Sequence, residues 1–146
     1  MAHFKGTSIL IITSDSVVMR VIDRLFAKMR YHADYVNTAD KALYAVAAKR
    51  YDLILLGLDP SQSSGFYLAE KIRQAEKRVH QSSSYLCAVT NQALASVREA
   101  CLDSGFDDVV AKPVGQHFLE HLIIKARDHA DHKCIGAMPF HSAAQA

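Results

Sequence analysis

The sequence predicts an α/β domain of five β–α units, a (βα)5 doubly wound, five-stranded parallel sheet with helices on both faces. Short apolar or β-branched runs alternate along the whole chain with segments whose apolar residues recur at three- and four-residue spacing. The central run, Asp52–Leu58, is continuously apolar after its opening acid, the pattern of a strand covered on both faces. Strands and helices that alternate in this way build a parallel sheet through right-handed crossovers.

Ser8–Thr13 is the first strand. Val17, Val18, Val21, Ile22, Leu25, Phe26 and Met29 then mark the apolar face of the first helix. Ala33–Val36 is a weaker second strand, and Asn37 or Thr38 caps a second helix that runs to about Lys49. Asp52–Leu58 is the third strand, followed by a loop at Pro60 and Ser61–Gly65. Leu68, Ile72, Ala75 and Val79 trace the third helix, whose outer face is expected to hold Lys71, Arg73, Lys77 and Arg78 in solvent. Beyond the polar loop Gln81–Ser84, Tyr85–Thr90 is the fourth strand. The fourth helix spans about Gln92 to Ser104 and is closed by Gly105. Asp107–Ala111 is the fifth strand, Lys112-Pro113 breaks the chain, and Phe118, Leu119, Leu122, Ile123, Ala126 and Ala130 mark the fifth helix. Periodicity stops at Lys133, so the domain is placed at residues 1–132 and residues 133–146 are expected to be a poorly ordered tail. No output domain is expected after it.

Composition narrows the function classes. With 146 residues, half of them hydrophobic, the chain suits one domain with a real core. Seventeen Lys+Arg against fifteen Asp+Glu leave no basic excess of the kind a dedicated nucleic-acid binder shows. The apolar runs are too short to span a bilayer, and no signal peptide is visible. Cys87, Cys101 and Cys134 form no CxxC pair, which fits free thiols in a reducing compartment. The expectation is a cytoplasmic domain that engages neither nucleic acid nor membrane.

In a sheet of this kind a site lies beyond the carboxyl ends of the strands. The residues to weigh are Ser14 and Asp15, Gly57 to Pro60, Thr90 and Asn91, and Lys112. GxGxxG and GxxxxGK[ST] are absent, and no Ser/His/Asp or Cys/His set falls at the strand ends, so the chain is not read as an enzyme. Five of the eight histidines, including His117, His121 and His129, lie in the last 30 residues. His117 and His121 share a helix face at i, i+4, with Cys134 nearby, a spacing able to bind metal. No second tight pair or HExxH motif joins them, so they are read as a solvated helix end and no metal is assigned.

The stretch Asp103-Ser104-Gly105-Phe106-Asp107-Asp108-Val109-Val110-Ala111-Lys112-Pro113 resembles the receiver domain of bacterial response regulators, the CheY-like fold. It follows that family's pattern of a small-residue helix end, Gly, an acidic pair, a strand and Lys-Pro. Tyr51–Leu58 resembles the strand that carries the phosphorylated aspartate, Gly65-Phe66 and Ile72-Arg73 continue the motif, and Thr90 stands where the family keeps Ser or Thr. The resemblance covers about Ser8 to Ala130 and implies the flavodoxin-like strand order 2-1-3-4-5.

The resemblance also implies a chemistry and exposes gaps in it. In the family, two acids after the first strand hold a divalent metal, a third acid accepts a phosphoryl group from a histidine kinase, and Lys with a hydroxyl receives its oxygens. Here the acceptor position falls on Gly57, and the acid pair falls on Ser14 and Asp15, or with a one-residue shift on Thr13 and Ser14. Thr90 and Lys112 remain. The family's aromatic switch position, three before the lysine, is Val109. Asp59 is on the same side of the strand as Gly57 but ~6–7 Å further along. Three bland alternatives stand beside these roles: Gly57 as a packing position, Asp15 as a helix N-cap, and Lys112 paired with Asp15 or Asp59.

The resemblance thus implies a degenerate receiver that signals by protein–protein contact without phosphorylation, with magnesium absent or weakly held. Its partner would be a histidine kinase or another signalling protein, with a homodimer through the fourth and fifth helices a further possibility. Two alternatives remain: a sensor holding a small anion or metabolite between Lys112, Thr90 and Ser14, and a phospho-receiver using Asp59.

Overall fold

The computed structural model describes residues 6–79 and 83–136, and the side chains of 130–136 are not among those described. Five strands, β1 (Ile9–Ile12), β2 (Ala33–Val36), β3 (Leu53–Gly57), β4 (Tyr85–Thr90) and β5 (Asp108–Ala111), alternate with five helices. The helices are α1 (Ser16–Lys28), α2 (Ala39–Ala48), α3 (Ser64–Arg78), α4 (Ala95–Ser104) and α5 (Gln116–Gly136). All strands are parallel, in the order β2-β1-β3-β4-β5 that the resemblance implies.

The period of two along each strand divides the core into two halves. Ile9, Ile11, Leu53, Leu55, Cys87 and Val89 face α1 and α5, where they meet Ile22, Phe26, Leu119 and Leu122. Leu10, Ile12, Ile54, Leu56, Leu86 and Ala88 face the opposite way, onto Val46, Leu68, Ile72 and Cys101 from α2, α3 and α4. Burial on both faces explains why β3 reads as an unbroken apolar run. The sheet's carboxyl edge therefore presents the ends of β1, β3, β4 and β5 side by side.

Several expectations change. Val17 and Val21 are not on the core face of α1: they are 68% and 50% exposed, while Ile22 and Phe26 are buried. At about 100° per residue, Val17 and Val21 lie about 100–180° around the helix from that buried pair. A count of apolar residues cannot separate two stripes on one helix. Arg73 is likewise not in solvent. It sits about 40–60° from the buried positions Ala69 and Glu76 and turns inward. Its guanidinium pairs with Glu76 at 2.9 Å and Asp107 at 2.7 Å and donates to the Gly105 and Ser84 carbonyls, both at 2.9 Å. This clamp ties α3 to the segments entering β4 and β5.

Boundaries shift at three helices. α3 begins one turn earlier than expected, at Ser64, because Gly65 admits the Leu58 side chain: a Cβ there would lie 2.5 Å from Leu58 Cδ1. α4 begins at Ala95 rather than Gln92, whose backbone N–H is taken by Thr90 Oγ1 at 3.1 Å. α5 runs to Gly136, past the boundary placed at residue 132. Periodicity marks burial rather than helicity, and nothing from Ala130 to Ile135 breaks a helix. The remainder of the expected tail, 137–146, lies outside the described residues. No helix among the described residues is long and apolar enough to cross a membrane.

Candidate functional site

At the carboxyl edge of the sheet the loops after β1, β3, β4 and β5 enclose a polar cavity of about 420 Å³. All nine residues weighed from sequence, Ser14 and Asp15, Gly57 to Pro60, Thr90 and Asn91, and Lys112, line it. Val109 does not. It is 2% exposed within the core half that faces α2, α3 and α4.

Gly57 ends β3, opposite Val89 of β4. A Cβ built there would lie 3.2 Å from Thr13 Oγ1, so Thr13, buried at the end of β1, already crowds that position. Thr13 Oγ1 also accepts the Asp15 N–H at 3.1 Å, which shapes the turn into α1.

Each of the two carboxylates at this edge has one oxygen bound within its own loop or helix start. Asp15 is the N-cap of α1, accepting from Val17 N at 3.0 Å and Val18 N at 3.2 Å, two of the donors a helix start leaves unpaired. The capping alternative read from sequence is the one the structure holds. Asp59 accepts from both the hydroxyl (2.7 Å) and the N–H (3.0 Å) of Ser61. Those bonds hold its carboxyl below the usual carboxylate range. It thus closes the turn after β3.

Thr90 is fully buried at the end of β4, its hydroxyl oxygen accepting from Gln92 N. Lys112, half-buried just past β5, has no carboxylate within ion-pair distance among the described residues. The pairing with Asp15 or Asp59 weighed from sequence is therefore not formed. Gln92 and Thr13 also line the cavity. Gln92 was read as a helix start, and Thr13 entered only through a shift of register. The signal for both is adjacency to a strand's carboxyl end.

The histidine pair gains no further ligand. His117 and His121 are exposed, and among the described residues no group of three or more His, Cys, Asp or Glu is placed to hold a metal. The Cys134 side chain lies outside those described. Cys87 and Cys101 are buried free thiols, and burial pushes both above the usual thiol range, which makes them poor nucleophiles.

Comparison with known proteins places this geometry. Residues 9–124 match the response regulator receiver domain family. Among curated relatives, sensor histidine kinase GacS of Pseudomonas protegens is 26% identical over 121 residues, which cover 83% of this chain and 13% of that protein. Signal transduction histidine-protein kinase BarA of Escherichia coli is 25% identical over 136 residues, covering 84% of this chain and 14% of that protein. The chain thus spans about one seventh of these relatives. Among solved structures, the receiver domain of a Pseudomonas aeruginosa sensor histidine kinase, with magnesium in its active-site cleft, is 26% identical. It superposes with a TM-score of 0.66, over 83% of this chain and 97% of that one. A yeast receiver domain solved with a histidine phosphotransfer signaling protein shares the fold, with a TM-score of 0.70 at 22% identity, over 81% of this chain and 86% of that one. A match across 9–124, on a five-stranded sheet ordered 2-1-3-4-5, makes the chain a member of the response regulator receiver domain family.

Proposed function

We propose that this receiver domain acts in two-component signalling through protein contact, without aspartyl phosphorylation. One observation carries the reading: the strand end where the family's acceptor falls is Gly57, a residue with no side chain to form an acyl phosphate. Asp59 is a poor substitute, because its carboxylate is engaged by Ser61 and phosphoryl transfer demands reacting atoms aligned within ~3–3.5 Å.

The same pocket fits a divalent cation badly. A hard cation takes several oxygen ligands, usually with carboxylates among them. Here Asp15 caps α1 with one of its oxygens, Ser14 offers only a hydroxyl, Gly57 offers no side chain, and Lys112 adds a positive charge. Coupling through the switch position is also weakened, since Val109 has no ring to turn and packs inside the core. The partner in this reading is a histidine kinase, a phosphotransfer protein or another signalling component, as the named relatives suggest. A second reading rests on Lys112: a cation without an acid partner, beside the Thr90 hydroxyl, can hold a small free anion.

The test is the amide spectrum of the protein with beryllofluoride and magnesium. Resonances of Thr90, Asn91 and Lys112 are expected to stay in place. A saturable shift centred on those residues overturns the reading. Stabilisation by inorganic phosphate that Lys112→Ala abolishes would select the anion sensor instead.

A further inference from the structure

Between α5 and the turn that joins α1 to β2 lies a second cavity, of about 430 Å³, which shares no lining residue with the polar cavity. Its size is that of sites that hold a small organic ligand. One wall is a single stripe of α5 at three- and four-residue spacing, from Gln116 through Glu120 and Ile124 to Arg127. The other wall is Lys28 to Tyr31.

The lining is graded from end to end. In this all-parallel sheet α1 and α5 both cross from the carboxyl edge to the amino edge, so the end of α1 lies level with the later turns of α5. Lys28, Arg30 and Arg127 therefore gather at the amino edge, and Gln116 and Glu120 stand at the opposite end. Between them Met29, Tyr31 and Ile123 are buried, but Ile124 is left 58% exposed.

The cationic end is more than a solvated surface. Arg30 takes φ 67°, the left-handed conformation in which a helix end favours glycine. The turn closes through backbone bonds alone, Tyr31 N–H to the Phe26 carbonyl at 2.8 Å, so the fold does not require an arginine there. Arg127 is anchored from behind, its Nε donating at 3.2 Å to the hydroxyl of buried Thr7, which leaves its terminal nitrogens for another partner. None of the three cations has a carboxylate within ion-pair distance among the described residues. The dipole at the end of α1 accounts for Lys28 and Arg30 but not for Arg127, which stands in the middle of α5.

We infer that this cavity binds a purine nucleoside phosphate, with its phosphate held by Lys28, Arg30 and Arg127, its rings against Ile124, and an N–H of the base donating to Glu120. Glu120 and Arg127 are about 10 Å apart along α5 at 1.5 Å per residue, a span that a nucleotide bridges and a bare phosphate does not. Gln116 Nε2 donates to Glu120 Oε2 at 3.2 Å, which orients the carboxylate and leaves its second oxygen for the base. A ligand with negative charge along its whole length meets Glu120 and is disfavoured, so charge at one end only is the pattern that fits. Because the two cavities share no residue, binding here is independent of whether the chain accepts a phosphoryl group.

The test titrates adenosine and guanosine monophosphate, the two nucleosides and inorganic phosphate into the full chain and reads amide shifts. A nucleoside monophosphate is expected to shift residues 28–31 and 120–127 saturably and to leave Thr90 and Lys112 in place. Removing either the phosphate or the base should weaken binding about tenfold or more. Arg127→Met and Arg30→Gly should each weaken it about fivefold or more. Glycine relaxes the left-handed turn, so Arg30→Gly should lose binding without any fall in melting temperature, a split that a merely structural arginine would not give. Glu120→Ala should weaken the nucleotide but tighten inorganic phosphate. Phosphate binding as tight as that of the nucleotides, shifts centred on Thr90 and Lys112, or no saturable shift with any probe each overturn the site.

Discussion

At the scale of single residues, the polar side chains that matter are those whose partners were not foreseeable from their neighbours in sequence. Arg73 is the clearest case. Buried Glu76 is 4% exposed and takes its compensating charge from Arg73 at 2.9 Å. Arg73→Met should keep the alkyl packing but leave that carboxylate uncompensated in the core, costing about 3–5 kcal/mol. The urea midpoint of the variant measures this, and a loss under about 1 kcal/mol would show that the clamp is dispensable. Asp34 supplies a pH-dependent case. The Tyr51 hydroxyl donates to its carboxylate at 2.6 Å, and this bond, aided by Lys49, holds its pKa below the usual 3.8. A carboxylate with a depressed folded-state pKa adds stability above its unfolded value and loses it as the pH falls through the folded one. The stability gap between wild type and Asp34→Asn should therefore be open at neutral pH and close as the pH drops below 3.8. A gap that stays constant down to acid unfolding would contradict the assignment.

At the scale of elements, α1 shows both what sequence makes legible and where it stops. β4 was readable at both ends, since polar residues bound its apolar run: Ser84 lies just before Tyr85, and Asn91 just after Thr90. The end of α4 was readable as well, because Gly105 takes φ 109°, in the left-handed region that side chains avoid. The seven apolar residues of the first helix marked its existence but not its orientation, because burial rather than composition separates Ile22 and Phe26 from Val17 and Val21. Partners three-dimensionally close but distant in sequence, such as Arg73 with Asp107, were hidden for the same reason. The candidate site was legible because strand ends converge in any parallel sheet of this order, whereas the capping role of Asp15 stayed one alternative among several. That role is testable at the level of the helix. Asp15→Ala should cost about 1 kcal/mol by stranding the Val17 and Val18 donors, and Asp15→Asn should cost less, since an amide oxygen still caps. Equal losses for the two variants would point to the charge rather than the cap.

At the scale of the whole molecule, the receiver architecture is present, and the proposed reading turns on the side chains at its carboxyl edge. The sheet order is that of the family, and Thr90 and Lys112 line the cavity at the sheet's carboxyl edge. The position opposite Val89 is glycine, Thr13 occupies the adjoining space, and the nearby acids close turns. In the proposed reading the fold is a platform whose state is set by protein contact rather than by phosphorylation. Incubation of wild type and Asp59→Asn with acetyl phosphate and magnesium, followed by intact mass measurement, tests that claim most directly. No phosphoryl adduct is expected on either protein; an adduct on wild type that Asp59→Asn lacks would contradict the proposed reading.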